Sequence, residues 1–209
     1  MTVNNFFKAD QPIAHCILAH GAGAGSDSDF MQSMARALAE QNIDVTLFDF
    51  PYMQVIKETG KKRPPGKFDK LIDAFVEQVE HVNNTTNLPI LIGGKSMGGR
   101  VASHLATQAL GIKMGFALGY PFHPPGKPEK LRLDHLPQLT SPFLVVQGER
   151  DTFGKKMEVE SYALPDILSV VWCESGDHSL KPLKSSGITH QEHLDYAAKQ
   201  IREFLDETL

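Results

Sequence analysis

Short apolar runs alternate with amphipathic stretches along the chain, and this alternation predicts its elements. Residues 13–19 form an apolar run that ends in His20-Gly21-Ala22-Gly23-Ala24-Gly25. A helical pattern follows through Phe30, Met34, Ala37 and Leu38, started by turn formers at 26–29. Residues 43–50 read as a second strand, stopped by Pro51. Residues 51–67 hold Pro64-Pro65-Gly66 and several cations, and read as a long loop. Residues 68–82 place Leu71, Ile72, Phe75, Val76 and Val79 on one helical face. Further strands are predicted at 88–93, 113–119, 141–147 and 168–173. A helix is predicted over 97–110. The capping box Thr189-His190-Gln191-Glu192 opens a last amphipathic helix through Leu194, Ile201 and Leu205.

About six apolar strands separated by helices imply an α/β fold: a mostly parallel sheet covered by helices on both faces. In such sheets the reactive groups collect on loops beyond the strand C-termini. No repeat or linker interrupts the pattern, so residues 1–209 are expected to form one domain.

The strongest local signal is Gly94-Lys95-Ser96-Met97-Gly98, between an apolar strand and a helix. This is the G-x-S-x-G nucleophile elbow in the context it requires. Small residues around the serine relieve crowding in a strained turn, and the helix start favours a developing oxyanion. The same letters resemble the end of a phosphate-binding loop, but that motif needs a glycine at position 89, which is Pro89.

A serine hydroxyl needs a base within reach and a third group to hold that base. The expected chain order after an elbow serine is acid, then histidine. The loop after 141–147 reads Gly148-Glu149-Arg150-Asp151, and the loop after 168–173 reads Glu174-Ser175-Gly176-Asp177-His178. Asp151 and His178 therefore complete a candidate triad with Ser96. Glu149 is the rival acid, and Asp177 is too local to His178 to orient it. Among nine histidines, His123 is the next candidate, as a substrate contact. His190 and His193 have a spacing that binds metal only weakly, and read as a surface pair. The oxyanion donors expected are the peptide N–H groups of Met97 and Ala22, with Gly23 as the alternative to Ala22. Gly21 and Gly23 let the backbone approach a substrate. The run at 21–25 is not G-x-G-x-x-G, because position 26 is Ser, which argues against a dinucleotide site.

Composition narrows this picture. A formal charge of -4 gives no support for nucleic acid as a partner. No apolar run approaches the roughly 20 residues needed to span a bilayer. The N-terminal segment lacks the apolar stretch of a signal peptide, and Cys16 and Cys173 sit in apolar runs as free thiols. A cytoplasmic protein is expected, without cofactor or metal, acting on a small-molecule acyl substrate. Oligomeric state is not legible.

With these residues in hand, the chain resembles the α/β-hydrolase superfamily over almost its whole length. It is similar to a small, capless group through HGAGAG at 20–25, GGKSMGGR at 93–100, GYPFHPPGK at 119–127 and QGERD at 147–151. The resemblance implies an α/β-hydrolase fold and a Ser96/Asp151/His178 triad that forms an acyl-enzyme from an ester or thioester. Related domains that serve assembly keep a non-catalytic module as the alternative, and acyl transfer is a further one. Only about 20 residues separate Gly119 from the strand at 141, too few for a large lid domain. The walls of an open site then fall to residues 51–67 and 120–137. Lys61, Lys62, Arg63, Lys127 and Lys130 make these loops basic; they read as solvated charge, with recognition of an anionic acyl group as the functional alternative.

Overall fold

The computed structural model describes residues 5–208; the first four residues of the polar N-terminal segment and Leu209 lie outside them. The described residues form one seven-stranded sheet in the order β1-β3-β2-β4-β5-β6-β7. These strands are β1 (Phe6–Phe7), β2 (Ala14–Ala19), β3 (Ile43–Phe48), β4 (Ile90–Lys95), β5 (Ile112–Leu118), β6 (Phe143–Gly148) and β7 (Leu168–Cys173). β1 runs antiparallel to β3, and every other neighbouring pair is parallel. β1 is the strand that the hydrophobic pattern omits: two residues carry no period.

Continuous burial along the strands explains their apolar runs. Ile17 and Ala19 of β2 face one layer, while Cys16 and Leu18 face the other. The same alternation places Val145 on the first side and Val146 on the second. Helices α3 (Phe68–Asn83) and α4 (Met97–Leu105) cover the first face, through Phe75, Val79, Val101 and Leu105. Helices α1 (Asp29–Glu40) and α6 (His190–Asp206) cover the second, through Met34, Leu38, Leu194 and Ile201. Each of these large side chains contributes about 1.5–3 kcal/mol when fully buried. Both cysteines are buried and unpaired, and burial pushes the Cys173 thiol up to about 12.

Strand ends shift by up to two residues from the expected ranges, and two expectations change further. The α4 helix stops at Leu105 rather than 110; the Thr107 hydroxyl bonds back to His104 O, and Gly111 takes a positive φ of 70°. More importantly, 51–67 is not all loop. Pro51–Thr59 is a helix, α2. Pro51 stands in its first turn, where the missing N–H has no intrahelical partner to lose. Gly60 closes it in the left-handed conformation, φ 68°. A short helix α5 (Lys156–Val159) follows β6. The capping box forms as expected: Thr189 N donates to Glu192 Oε2 at 2.6 Å, and Glu192 N to Thr189 Oγ1 at 3.2 Å.

The chain crosses from β3 on one side of β2 to β4 on the other, so the C-terminal ends of β2 and β4 open side by side. Such a switch point leaves a crevice for ligands. Between β5 and β6 the described chain carries only a turn of 3-10 helix, Leu136–Gln138, and no lid. Among the described residues, no helix is long and apolar enough to cross a membrane.

Candidate active site

Ser96 links the last residue of β4 to the first of α4, with φ 50° and ψ −110°. A non-glycine residue in this region is strained by about 1–3 kcal/mol and must be held there. Ser96 N donates to Leu118 O, and Arg100 N donates to Ser96 O, both at 3.0 Å. The turn also needs its small neighbours. A Cβ on Gly94 would lie 2.4 Å from the Gly98 carbonyl carbon, and one on Gly98 would lie 2.5 Å from Ala19 O.

His178 follows β7 and Asp151 follows β6. His178 Nε2 lies 2.7 Å from Ser96 Oγ, and His178 Nδ1 lies 2.8 Å from Asp151 Oδ2. A carboxylate only accepts, so the ring proton sits on Nδ1 and Nε2 accepts from the serine hydroxyl. Asp151 is fully buried. Its Oδ1 accepts from Phe153 N, and its Oδ2 also accepts from Gln147 Nε2, each at 2.8 Å. The Phe153 ring stacks on the His178 ring with centroids 4.0 Å apart. Glu149, the rival acid, turns elsewhere: it accepts from Ser175 N at 3.0 Å and from Lys156 Nζ at 3.2 Å. These two partners hold its carboxyl below the usual range.

The histidine loop is tied from several sides. Lys95 Nζ donates to His178 O at 2.5 Å. The Asp177 carboxylate accepts from Ser179 N and Lys181 N. His190 and His193, expected as a surface pair, are instead spent on this loop. His190 Nε2 bonds Ser179 O at 2.8 Å, and the buried His193 bonds Leu180 O through Nδ1 at 2.6 Å. Burial pushes the Lys95 ammonium down to about 8, with Asp151 and Asp177 opposing. Among the described residues, no cluster of histidine, cysteine or carboxylate side chains has the arrangement to hold a metal.

The loop after β2 brings Gly21, Ala22 and Gly23 beside Ser96, where they line a hollow of about 360 Å³ with His178 and Phe30. The Met97 N–H is the first of α4, a position with no intrahelical acceptor. The orientation of the glycine loop comes from residues that the sequence pattern did not assign a role. His20 is fully buried; its Nδ1 bonds Gly21 O at 2.6 Å, and its Nε2 accepts from Phe50 N at 3.1 Å. Burial lowers the pKa of this ring, so Asp49, 3.7 Å from Nε2, is a polar neighbour and not an ion-pair partner. Tyr52, on α2, places its hydroxyl 3.1 Å from both Gly21 O and Ala22 O. Lys57, also on α2, reaches Asp27 at 2.8 Å and Ser26 Oγ at 3.2 Å.

His123 is not brought to Ser96. It is 2% exposed and lines neither this hollow nor a second one, of about 530 Å³, that Ser96 also borders. Its N–H donates to Phe153 O and its Nδ1 faces Pro124 O, because the chain turns inward under the Asp151 loop. Lys61, Lys62, Arg63, Lys127 and Lys130 are exposed and line neither hollow.

Residues 12–206 match the family model described as alpha/beta hydrolase domain. No curated protein sequence matches the chain. Solved structures superpose over nearly all of it. A dienelactone hydrolase from Anabaena variabilis gives a TM-score of 0.71 at 18% identity, covering 98% of this chain and 90% of that one. An alpha-beta serine hydrolase homologue from Coxiella burnetii gives 0.67 at 19%, covering 98% and 89%. A Xanthomonas campestris member of the a/b serine hydrolases without lid gives 0.65 at 19%, covering 92% and 84%. At these identities the likeness is one of fold.

Proposed function

The chain belongs to the alpha/beta hydrolase family, and from that premise we propose that it is a serine hydrolase. Its substrates are esters or thioesters of small to medium acyl groups. The observation that carries this reading is the unbroken line from Asp151 Oδ2 through His178 to Ser96 Oγ, with steps of 2.8 and 2.7 Å. A fold alone has no need for this line.

Ser96 Oγ attacks the acyl carbonyl carbon while His178 Nε2 takes the hydroxyl proton. Asp151 fixes the ring tautomer and stabilises the imidazolium. The negative oxygen that forms is held by the Met97 and Ala22 N–H groups, at a helix start and on a pre-set loop. His178 then gives its proton to the leaving oxygen or sulfur, and the acyl group stays on Ser96. Water, deprotonated by His178, attacks the acyl-enzyme and restores the serine. The absence of a lid between β5 and β6 supports placing the chain with the small, capless group that its motifs resemble, as one domain over residues 1–209.

A panel of p-nitrophenyl esters and thioesters of graded chain length tests the reading, with Ser96→Ala as control. Turnover in the wild type and a loss of about 10³–10⁶-fold in a folded Ser96→Ala variant are expected. Fluorophosphonate labelling at Ser96 supports the same conclusion. A folded protein that neither turns over nor labels would leave a non-catalytic module, and products formed with added alcohols would indicate acyl transfer.

A further inference from the structure

Ser96 stands between two hollows with different walls. The hollow of about 360 Å³ includes His178. A leaving group must sit on this side, because its departing atom takes the proton from His178. The other hollow, about 530 Å³, is lined by Ser96, Met97, Ala22, Pro65, Arg100 and Arg132, among others, and His178 is not among its walls. The acyl part of a substrate on Ser96 therefore extends here.

We propose that this second hollow selects acyl groups that end in an anion, a carboxylate or a phosphate, held by Arg100 and Arg132. The inference rests on the serine hydrolase reading and names the substrate class for it. Two arginines, permanently charged, line one cavity. Neither guanidinium pairs with a carboxylate among the described residues. Arg100 Nε is buried without a hydrogen-bond partner. The Arg100 guanidinium lies over the Phe68 ring at 4.4 Å, an attraction to a π face that leaves the N–H fork unused.

Two histidines lie near Arg100 and add no charge to it. His104 and His135 stack with ring centroids 3.6 Å apart, and Ser103 Oγ bonds His135 Nε2 at 2.7 Å. Burial, with Arg100 nearby, pushes His104 down to about 4; burial, with His104 and Arg100 nearby, pushes His135 down to about 3. Both rings are therefore neutral at physiological pH. Arg132 adds its own positive charge against Arg100. Arginine does not shed its proton, so the pair remains doubly cationic. A guanidinium offers a planar fork of donors that matches a carboxylate or a phosphate. A neutral acyl chain would displace water from both cations and return nothing, which penalises it relative to an anionic one.

The test uses four p-nitrophenyl esters of equal length, ending in methyl, carboxylate, phosphonate or trimethylammonium. A preference in kcat/KM for carboxylate or phosphonate over methyl of about 10- to 100-fold is expected. Whichever anionic arm leads identifies the source: a dicarboxylic half-ester or a phosphorylated acyl group. Arg132→Gln should collapse the anionic-to-neutral ratio, and Arg132→Lys should restore part of it. Arg132 lies on a loop and is only half-buried, so this variant can be read even if Arg100→Gln disturbs the packing on Phe68. Equal rates for methyl and carboxylate esters, with turnover still dependent on Ser96, would overturn the inference alone. A best rate for trimethylammonium, or a ratio unchanged in Arg132→Gln, would do the same. No turnover of any ester and no labelling of Ser96 would remove the hydrolase reading, and this inference with it.

Discussion

The Tyr52 hydroxyl lies 3.1 Å from the Gly21 carbonyl, on the same peptide group whose N–H belongs to Ala22. A trans peptide is planar, so its carbonyl and its N–H point in opposite directions. Anchoring one aims the other. Burial raises the Tyr52 pKa, so the phenol stays protonated and remains a donor. Tyr52 is thus a positioning residue for the proposed oxyanion donor. Tyr52→Phe should lower kcat by about tenfold, because one of the two anchors on Gly21 O is lost while His20 remains. KM should change little, and the rate of fluorophosphonate labelling should fall with kcat. A variant with wild-type kcat would show that His20 alone sets the peptide.

The elbow serine and its partners were legible because their constraints are local. Gly94 and Gly98 must be small beside Ser96, and Asp151 and His178 each follow a strand that is apolar enough to recognise. Tyr52 was not legible. Pro51 reads as a stop after a strand, yet it also starts α2, and a helix of nine residues shows little period. His123 was misplaced because a Pro-rich loop after a strand does not reveal that it folds inward. Arg100 and Arg132 are 32 positions apart in sequence and meet at one cavity only after the chain has folded. Convergence of this kind leaves no mark in periodicity.

Gln147 holds Asp151 from behind. Its Nε2 donates to Asp151 Oδ2 at 2.8 Å, and its Oε1 accepts from Tyr120 N at 2.7 Å. The side chain is fully buried. Gln147→Leu keeps similar bulk but strands a backbone donor and removes a donor to the carboxylate. The expected destabilisation is about 2–4 kcal/mol, from the stranded Tyr120 N–H and one lost bond to the Asp151 carboxylate, which keeps His178 and Phe153 N. Urea unfolding measures it. A fall in kcat larger than any change in KM should accompany it, since Asp151 orients His178. An unchanged midpoint would mean that other donors fill the gap.

Gly119 is a glycine at which a side chain would strike His178 of the proposed triad. Its φ is +68°, and a Cβ there would lie 2.5 Å from His178 O and 3.3 Å from His178 Nδ1. Gly119→Ala forces either the backbone or the imidazole to move. A displacement of about 1 Å at a catalytic group lowers turnover by about 100-fold. Gly187 provides the comparison: its φ is +75°, but nothing lies within 4 Å of the added carbon. Gly187→Ala should therefore show backbone strain in Tm without loss of kcat. Equal effects of the two substitutions on kcat would reject the collision.

Lys95 couples the elbow to the histidine loop and makes stability depend on pH. Its ammonium donates to His178 O, and burial holds its pKa near about 8 against an ordinary value of 10.5. Below about pH 8 the amine is charged in both the folded and the unfolded chain, and the folded state bears the full penalty of burying that charge. Between about pH 8 and 10.5 the unfolded chain binds more protons at this site than the folded one, so the contribution of Lys95 to stability rises with pH. Above that window both forms are neutral and the contribution is constant. Lys95→Met removes this titration. The Tm of the wild type minus that of Lys95→Met should therefore shift in favour of the wild type as the pH is raised through the window. Differential scanning calorimetry of both proteins at matched ionic strength measures the difference. A flat difference would mean that the His178 carbonyl and the carboxylates of Asp151 and Asp177 balance the cost of burial, and one that moves against the wild type would mean that they exceed it.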